Sequence, residues 1–274
     1  MSSGSRNSNP NQRKPKNFSA GWKYKQGNRN QRPAFSRPGD IDVAIIYGWH
    51  PVFEALSNPV RKFKRLLATE NSAKKLAEKM PQLPIEPTIV KPGDITHLLE
   101  PDAVHQGIYL EAAPLCSPTL ETLSNNGIVL ALDQITDPHN VGAIVRTAAA
   151  FNVEAIITTA RHSPAATGVL AKSASGGLEH APFLVVKNLA EALIKLGERG
   201  FQRVGLDSDG EADMGNLSLK RPLVLVLGAE GKGLRQRTRE CCDVIGRLDM
   251  PGQIKSLNVS NAAAISLYAV SKAT

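Results

Sequence analysis

The chain is organised around residues 224–233, which read VLVLGAEGKG. The first four residues are valine and leucine without polar alternation, a pattern that predicts a strand buried on both faces. Glycines follow at once, beginning with Gly228. Because glycine has no Cβ, a glycine-rich turn at the carboxyl end of a buried parallel strand lets the backbone approach a ligand closely. The segment therefore predicts a strand that ends in a ligand-binding loop.

A polar cluster follows about twenty residues later, where residues 250–261 read MPGQIKSLNVSN. The apolar run 262–270 behind it predicts a helix, and polar residues are typical of a helix start. The polar residues of the cluster are Ser256, Asn258, Ser260 and Asn261. Polar groups at a helix start beside a glycine loop predict a functional site.

Glycine loops after strands also bind phosphates in nucleotide hydrolases. Here Lys232 lies between two glycines and is not followed by the Ser or Thr of a phosphate loop. The order G-x-G-x-x-G is absent too. The spacing therefore disfavours a phosphate-binding loop.

Three ordered motifs resemble those of the SpoU family of RNA ribose 2′-O-methyltransferases, which belongs to the knotted SPOUT methyltransferases. They are Asn140-Val141-Gly142 followed by Arg146, then Gly228-Ala229-Glu230-Gly231, then Ser256-Leu257-Asn258-Val259. The resemblance implies that S-adenosylmethionine binds mainly through backbone groups, and that the enzyme works as a homodimer with its site near the subunit interface. The implied cofactor-binding positions are Gly228, Leu248 and Leu257.

The resemblance also implies the catalytic residues. Arg146 matches the arginine that contacts the RNA backbone and activates the hydroxyl, and a guanidinium stays protonated, so we expect it to polarise the hydroxyl or bind the adjacent phosphate. The residues implied around the target ribose are Asn140, Glu230, Ser256 and Asn258. Simpler roles remain open: Arg146 as a solvated residue, Asn140 as a helix cap, and Glu230 as an acceptor for helix amides.

From residue 128 onward, apolar strand patterns alternate with helical ones, which predicts an α/β fold with a parallel sheet covered on both faces. We expect strands at 128–132, 155–158, 183–186, 201–206, 223–227 and 244–248. Helices are expected at 140–151, 165–173, 189–198 and 233–242, before the final one. The resemblance adds the deep trefoil knot of this family, which the periodicity does not show.

Residues 41–115 form a smaller α/β pattern that resembles the substrate-binding domain similar to ribosomal protein L30e in one SpoU branch. The matching features are Gly48-x-His50-Pro51-Val52 and His105-Gln106-Gly107. They imply an enzyme that methylates a guanosine of 23S rRNA. A tRNA ribose methyltransferase and a noncatalytic RNA-binding module are the alternatives. We expect turn and capping roles for His50 and His105.

The predicted organisation is a tail at 1–40, the L30e-like domain at 41–115, a linker at 116–126 and the methyltransferase domain at 127–274. Of the net charge of +8, residues 1–39 hold nine Lys or Arg and no Asp or Glu, which leaves 24 basic against 25 acidic residues elsewhere. The tail is too poor in aliphatic residues to fold alone, so it is predicted to be disordered. It is either a nonspecific RNA-binding arm or a solubilising extension.

Composition limits the other classes. At 274 residues with 42% hydrophobic content, the chain can bury one large core or two smaller ones. We find no membrane-length apolar run and no signal-peptide core, so we expect a cytoplasmic protein that does not bind a membrane. Cys116, Cys241 and Cys242 lack paired spacing and are predicted to be small core residues. No metal site is expected.

Overall fold

The computed structural model describes residues 43–101, 103–161, 174–253 and 256–273. The tail predicted at 1–40 and the helix predicted at 165–173 lie outside these residues. The described chain forms two β-sheets with helices around them. We call residues 44–112 the small-sheet region and the part from residue 128 onward the large-sheet region.

The small-sheet region holds a four-stranded sheet in the order β1-β4-β2-β3. Its strands are β1 (Ala44–Tyr47), β2 (Phe63–Ala68), β3 (Pro87–Ile89) and β4 (Ile108–Ala112). Its helices are α1 (Trp49–Ser57), α2 (Glu70–Lys79) and α3 (Pro92–Thr96). β4 pairs antiparallel with β1 and β2, whereas β2 and β3 are parallel. The smaller α/β pattern predicted for this region is present, although the sequence pattern did not predict β2.

The large-sheet region holds a seven-stranded sheet in the order β7-β6-β5-β10-β8-β11-β9. Its strands are β5 (Ile128–Asp133), β6 (Ala155–Thr159), β7 (Phe183–Val186), β8 (Gln202–Leu206), β9 (Ala212–Asp213), β10 (Leu223–Gly228) and β11 (Val244–Arg247). Its helices are α4 (Pro138–Ala150), α5 (Leu189–Glu198), α6 (Gln236–Glu240) and α7 (Val259–Ala273). Every pair of neighbouring strands is parallel. The predicted parallel α/β sheet is confirmed.

The central strand β10 explains why the sheet is covered on both faces. Leu223, Leu225 and Leu227 point into a core shared with α4 and α7, whereas Val224 and Val226 point into a second core shared with α5. Successive side chains of a strand alternate between the two faces, so a run without polar residues requires apolar cover on both. The leucine and valine pattern therefore places helices above and below the sheet.

Helices α4 and α7 pack side by side on one face. Ala148 of α4 and Ala263 of α7 are fully buried in the same core. Small residues let two helices approach closely, and internal packing is the use that the structure gives to these two alanines. The α4–α7 pair brings the first and third sequence motifs to the same side of the sheet.

Two predicted boundaries are wrong. The helix expected at 233–242 is only Gln236–Glu240, because Gly231 and Gly233 have positive φ angles of 74° and 62° and fold a turn in which Gly233 N donates to Ala229 O at 2.9 Å. The final helix begins at Val259 and not at Ala262, since Asn258 provides its cap.

The predicted linker, residues 116–126, contains a short 3₁₀ turn, Leu120–Thr122. Arg199 holds it by donating hydrogen bonds to the carbonyl oxygens of Leu120 and Leu123. Ser124 also donates from N and Oγ to the carboxylate of Glu154, at 2.7 and 2.9 Å. The latter half of this segment is therefore attached to the large-sheet region.

Gly107 provides a test of packing in the small-sheet region. Its φ is 74°, and an added Cβ would lie 2.5 Å from Thr69 Oγ1 and 2.7 Å from Ser72 Oγ. The change Gly107→Ala should therefore cost about 1–2 kcal/mol for the left-handed backbone and further free energy for the displaced hydroxyls, of which Ser72 Oγ donates to Gln106 O. Urea unfolding measures the loss.

The matched control is Gly200→Ala. Gly200 also has a positive φ, 87°, but no atom lies within 4 Å of its added Cβ. We expect a smaller loss of stability there. Equal losses at both positions would show that the contacts around Gly107 are unimportant.

Candidate functional site

A cavity of about 360 Å³ opens at the carboxyl ends of strands β8, β10 and β11. Its walls come from residues at and after the ends of these strands: 206–209, 227–233 and 246–248, together with Arg239, Met250, Ser256, Leu257, Val259 and Ala262. Ligands of parallel α/β sheets bind in the crevice outside the carboxyl ends of the strands. The cavity therefore has the position of a ligand site.

The glycine loop forms one wall of this cavity. A Cβ on Gly228 would lie 2.3 Å from the carbonyl carbon of Gly233, so no side chain fits where the loop folds back on the end of β10. From the sequence, close approach of a ligand was the expected reason for glycine here. The structure gives a second reason, which is the close approach of the loop to itself.

Asn258 joins the three sequence motifs. Its Nδ2 donates to Asn140 Oδ1 at 2.9 Å and to Glu230 Oε1 at 2.7 Å, across separations of 118 and 28 residues. The amide thus uses both of its N–H groups on residues of the other two motifs. The structure thus brings Asn140, Glu230 and Asn258 together, while their roles around a ribose stay a prediction.

The same residues also stabilise the start of α7. Asn258 Oδ1 accepts from Ser260 N at 2.9 Å and from Ser260 Oγ at 2.6 Å, and Glu230 Oε1 accepts from Val259 N at 3.2 Å. Glu230 therefore does bond a helix amide, as its simpler interpretation held, while also contacting Asn258. Ser260 and Asn261 lie inside the helix.

Asn140 is not the cap of α4. That helix begins at Pro138, and Asp137 caps it by accepting from His139 N at 3.1 Å. Asn140 lies within the first turn, and its side-chain oxygen is directed to Asn258. The capping interpretation of Asn140 is therefore wrong.

Arg146 lies on α4 as predicted, but the structure does not bring it into the hydrogen-bonded cluster. It is six residues beyond Asn140, which is roughly 9 Å along a helix axis. Its side chain is exposed, and no hydrogen bond or ion pair joins it to another residue in the described ranges. The guanidinium is therefore available to a ligand on this side of the sheet.

The positions predicted for the cofactor all border the cavity. Gly228 ends β10, Leu248 directly follows β11, and Leu257 precedes the start of α7. Two of the predicted catalytic residues, Glu230 and Ser256, line it as well. The second and third motifs thus meet around one cavity.

Two carboxylates that were not predicted as site residues hold the segment that follows the glycine loop. Asp133, buried at the end of β5, accepts from Arg235 N at 3.0 Å and from Arg235 Nε at 2.7 Å. Asp207, after β8, forms an ion pair with Arg239 Nη1 at 3.1 Å and borders the cavity. An acid that directly follows a buried apolar run is the sequence signal that could have identified Asp133.

The cysteines form no site. Cys241 is buried and Cys242 half-buried, as predicted for core residues, but Cys116 is exposed. Burial raises the pKa of the Cys242 thiol to about 12, which disfavours the thiolate at neutral pH.

Among the described residues, no group of three or more His, Cys, Asp or Glu could hold a metal ion. The described helices include none that could cross a membrane.

Comparison with known families decides the assignment. Residues 127–268 match the model of the SpoU rRNA Methylase family, and residues 45–117 match the model described as RNA 2′-O ribose methyltransferase substrate binding. The chain belongs to the SpoU rRNA methylase family. The resemblance drawn from the three motifs is therefore confirmed.

Curated relatives within the SpoU family match over most of the chain. The 23S rRNA (guanosine-2′-O-)-methyltransferase RlmB of Pseudomonas aeruginosa is 37% identical over 234 residues, 82% of this chain and 94% of the relative. An RlmB protein from a Burkholderia species is 39% identical over 169 residues, 60% of this chain and 68% of the relative.

Solved methyltransferase structures share the fold. The SpoU methyltransferase AviRb from Streptomyces viridochromogenes, in complex with AdoMet, superposes with a TM-score of 0.70 at 22% identity and covers 83% of this chain and 89% of that one. An rRNA methyltransferase from Sinorhizobium meliloti gives a TM-score of 0.70 at 21% identity, covering 85% and 88%. The fold of the described chain is thus that of SpoU methyltransferases.

The bridge through Asn258 can be tested with two substitutions that both keep a cap for α7. Ser and Asp are good N-cap residues, but Asn258→Asp places a carboxylate against Glu230 Oε1, whereas Asn258→Ser only removes the bridge. We expect Asn258→Asp to lower the free energy of unfolding at pH 7 by up to about 1 kcal/mol more than Asn258→Ser, because an N–H donor is replaced by a like charge at an exposed site where water screens the repulsion.

The pH dependence of the stability difference between the two variants tests whether charge repulsion causes it. In the Asn258→Asp variant, the new carboxylate and Glu230 repel each other only while both are ionised. The penalty should therefore be present at pH 7 and shrink as the pH falls below about 5, where one carboxyl is protonated and can donate. Denaturant unfolding at several pH values measures this. A pH-independent difference between the two variants would contradict the bridge.

Proposed function

We propose that the protein transfers the methyl group of S-adenosylmethionine to the ribose 2′-hydroxyl of a guanosine in 23S rRNA. The single observation that carries the proposal is the bridge from Asn258 to Asn140 and Glu230, beside the glycine-loop cavity. It brings the three SpoU motifs to one place. The names of the curated RlmB relatives support the choice of 23S rRNA and guanosine.

The residues of the cavity fit this cofactor. A volume of about 360 Å³ falls within the range of ligand pockets, roughly 300–1,000 Å³. The backbone at Gly228, Leu248 and Leu257 would hold the cofactor, with apolar side chains available to its adenine ring. The carboxylates of Asp207 and Asp209 offer acceptors for its hydroxyl or ammonium groups. When bound, the cofactor supplies an electrophilic methyl group on a sulfonium.

The chain's own residues align the attacking oxygen and stabilise its charge. Arg146 polarises the 2′-hydroxyl or holds the adjacent phosphate, because a guanidinium stays charged and offers a rigid fork of donors. Asn140, Glu230 and Asn258 form the hydrogen-bonded floor beside the target ribose, and Ser256 lies at the cavity wall. In-line displacement depends mainly on such positioning.

We propose that residues 41–115 are the domain that recognises RNA, related to ribosomal protein L30e, with a linker at 116–126 and the methyltransferase domain at 127–274. The turn role predicted for His105 fits a supporting function, since its Nδ1 accepts from Gly107 N at 3.1 Å, and next to it Gln106 Oε1 accepts from Trp49 N at 2.8 Å. The segments 48–52 and 105–107, which carry the resemblance, are thus hydrogen-bonded to each other at the start of α1. The tail at 1–40 would add nonspecific RNA affinity.

We further propose a cytoplasmic homodimer whose methyltransferase domain carries the trefoil knot of the family. Ile265 and Tyr268 on α7 are 47% and 57% exposed, which leaves an apolar face beside the site for a second copy. Sedimentation equilibrium tests the dimer, and an experimental Cα trace tests the knot.

Substitution of Arg146 is the test of the proposed reaction. Arg146→Ala should lower kcat for methyl transfer to unmodified 23S rRNA by about 10²–10³-fold, because it removes a preorganised charge from the reacting oxygen. Arg146→Lys should be intermediate, since lysine keeps the charge but not the planar fork. Transfer of labelled methyl groups, followed by mapping of the labelled ribose, measures both the rate and the position.

The control is Arg237→Ala, a substitution of an arginine on α6 whose side chain is 71% exposed. We expect it to leave kcat within about twofold of the wild type, as an exposed ion pair contributes little. Label on tRNA in place of rRNA would favour a tRNA methyltransferase. Cofactor binding without any transfer to either RNA, or no cofactor binding at all, would contradict the proposed reaction.

A further inference from the structure

A buried ion pair joins the small-sheet and large-sheet regions. The side chains of Arg61 and Glu179 are 6% and 3% exposed. Arg61 donates from Nε and Nη2 to Glu179 Oε1 at 3.2 and 2.6 Å, and Asn58 Nδ2 donates to Glu179 Oε2 at 2.8 Å. Arg61 Nη1 also donates to Ala113 O at 2.7 Å. Both carboxylate oxygens and all three guanidinium nitrogens therefore have partners.

Such a pair is better suited to fixing geometry than to adding stability. Removing two charges from water costs about as much as their attraction returns, so apolar residues of similar volume often serve stability equally well. A buried pair in which every donor and acceptor has a partner instead restricts how the groups that carry it can be arranged. Here those groups are the segment after α1 and the turn formed by residues 176–180, which we call the 176–180 turn.

The 176–180 turn lies directly on the backbone of α4. Gly177 is buried, and a Cβ added there would lie 3.0 Å from Val145 O and 3.1 Å from the Cα of Arg146. Leu178 packs against the same core as Val145. The turn therefore touches α4 at the residue proposed to activate the ribose hydroxyl.

The small-sheet region contacts the other side of this turn. Gly176 has a φ of 89°, and an added Cβ would lie 2.4 Å from Glu54 Cγ on α1. Close by, His180 Nε2 and Glu54 Oε2 are 3.0 Å apart, but these side chains are 57% and 38% exposed. An exposed pair of this kind is screened by water and contributes little. The buried pair through Arg61 is thus the stronger constraint on the turn.

We infer that Arg61 and Glu179 are positioning residues for methyl transfer. Their ion pair holds the 176–180 turn between the small-sheet region and α4, and thereby fixes the backbone from which Arg146 reaches the RNA. The inference rests on the proposed function, because it assigns the constraint to the reaction of Arg146. It also gives the small-sheet region a second role besides recognising RNA.

The experiment compares Glu179→Gln with Glu54→Gln in the full-length protein. Both changes remove one carboxylate that links α1 or its following segment to the 176–180 turn, and both keep the side-chain length. Displacement of a reacting group by about 1 Å can cost about 10²-fold in rate. We expect Glu179→Gln to lower kcat for 23S rRNA at least about tenfold, with the Kd for S-adenosylmethionine and the KM for RNA within about twofold. Glu54→Gln should leave all three unchanged.

A second measurement tests, without an activity assay, whether the Arg61–Glu179 ion pair constrains α4. Hydrogen–deuterium exchange of the peptide that contains residues 144–150 should be faster in Glu179→Gln than in the wild type or Glu54→Gln. If the wild-type protein methylates no RNA, the proposed function fails, while the exchange measurement still decides whether the ion pair constrains α4. Should Glu179→Gln not fold, Asn58→Ala removes one of the three hydrogen bonds to Glu179 and should show the same effects to a smaller degree.

Three results would overturn the inference. One is a lower melting temperature with unchanged kcat and unchanged exchange at α4, which is the behaviour of a purely structural pair. Another is a raised KM for RNA with unchanged kcat, which would limit the small-sheet region to RNA affinity. The third is an equal loss of kcat in Glu179→Gln and Glu54→Gln, since the exposed pair would then matter as much as the buried one.

Discussion

The side-chain amide of Asn258 makes the contacts on which the proposed site depends. Its two N–H groups reach Asn140 and Glu230, and its oxygen accepts from both the backbone and the hydroxyl of Ser260. All four bonds are local in space, yet they join the start of α4, the glycine loop and the start of α7. Helix capping and site assembly are therefore the same set of hydrogen bonds, so stability and proposed function are coupled at this residue.

The buried parallel sheet places these segments together. β10 is central, and its neighbours β5 and β8 pair with it in parallel register along most of its length. Their carboxyl ends therefore emerge at one edge, where Asp133 and Asp207 hold arginines near the two ends of α6. The glycine loop lies between these two anchors. Its shape is set by the close approach of Gly228 to Gly233, which only residues without a side chain permit.

The sequence predicted six of the seven strands of the large sheet but not the two-residue β9, and α5 occupies the predicted residues 189–198. The central strands β5 and β10 were predictable because they are apolar on both faces. The prediction failed where a tertiary contact decides the structure. β2 was not predicted because Lys64 and Arg65 interrupt its apolar run, and Arg65 pairs across the sheet with Glu111. The helix predicted from Gly233 begins three residues later because left-handed glycines form a turn first.

The sequence identified several residues of the candidate site but not the contacts between them. The motif resemblance identified Asn140, Glu230 and Asn258, but no local rule relates residues 118 positions apart, so their hydrogen bonds required the fold. Asp133 and the pair of Arg61 with Glu179 were not predicted, since a charged residue at a strand end or in a turn is usually solvated. Their burial, and hence their importance, is visible only once the two sheets are in place.

The most direct measurement is a crystal structure of the protein with S-adenosylhomocysteine, the product form of the proposed cofactor. We expect density in the cavity between residues 206–209, the glycine loop, Leu248 and residues 256–257, with hydrogen bonds from the backbone at Gly228, Leu248 and Leu257. The sulfur should face the cluster of Asn140, Glu230 and Asn258. Density at another place, or a bound molecule whose sulfur points away from this cluster, would contradict the proposed site.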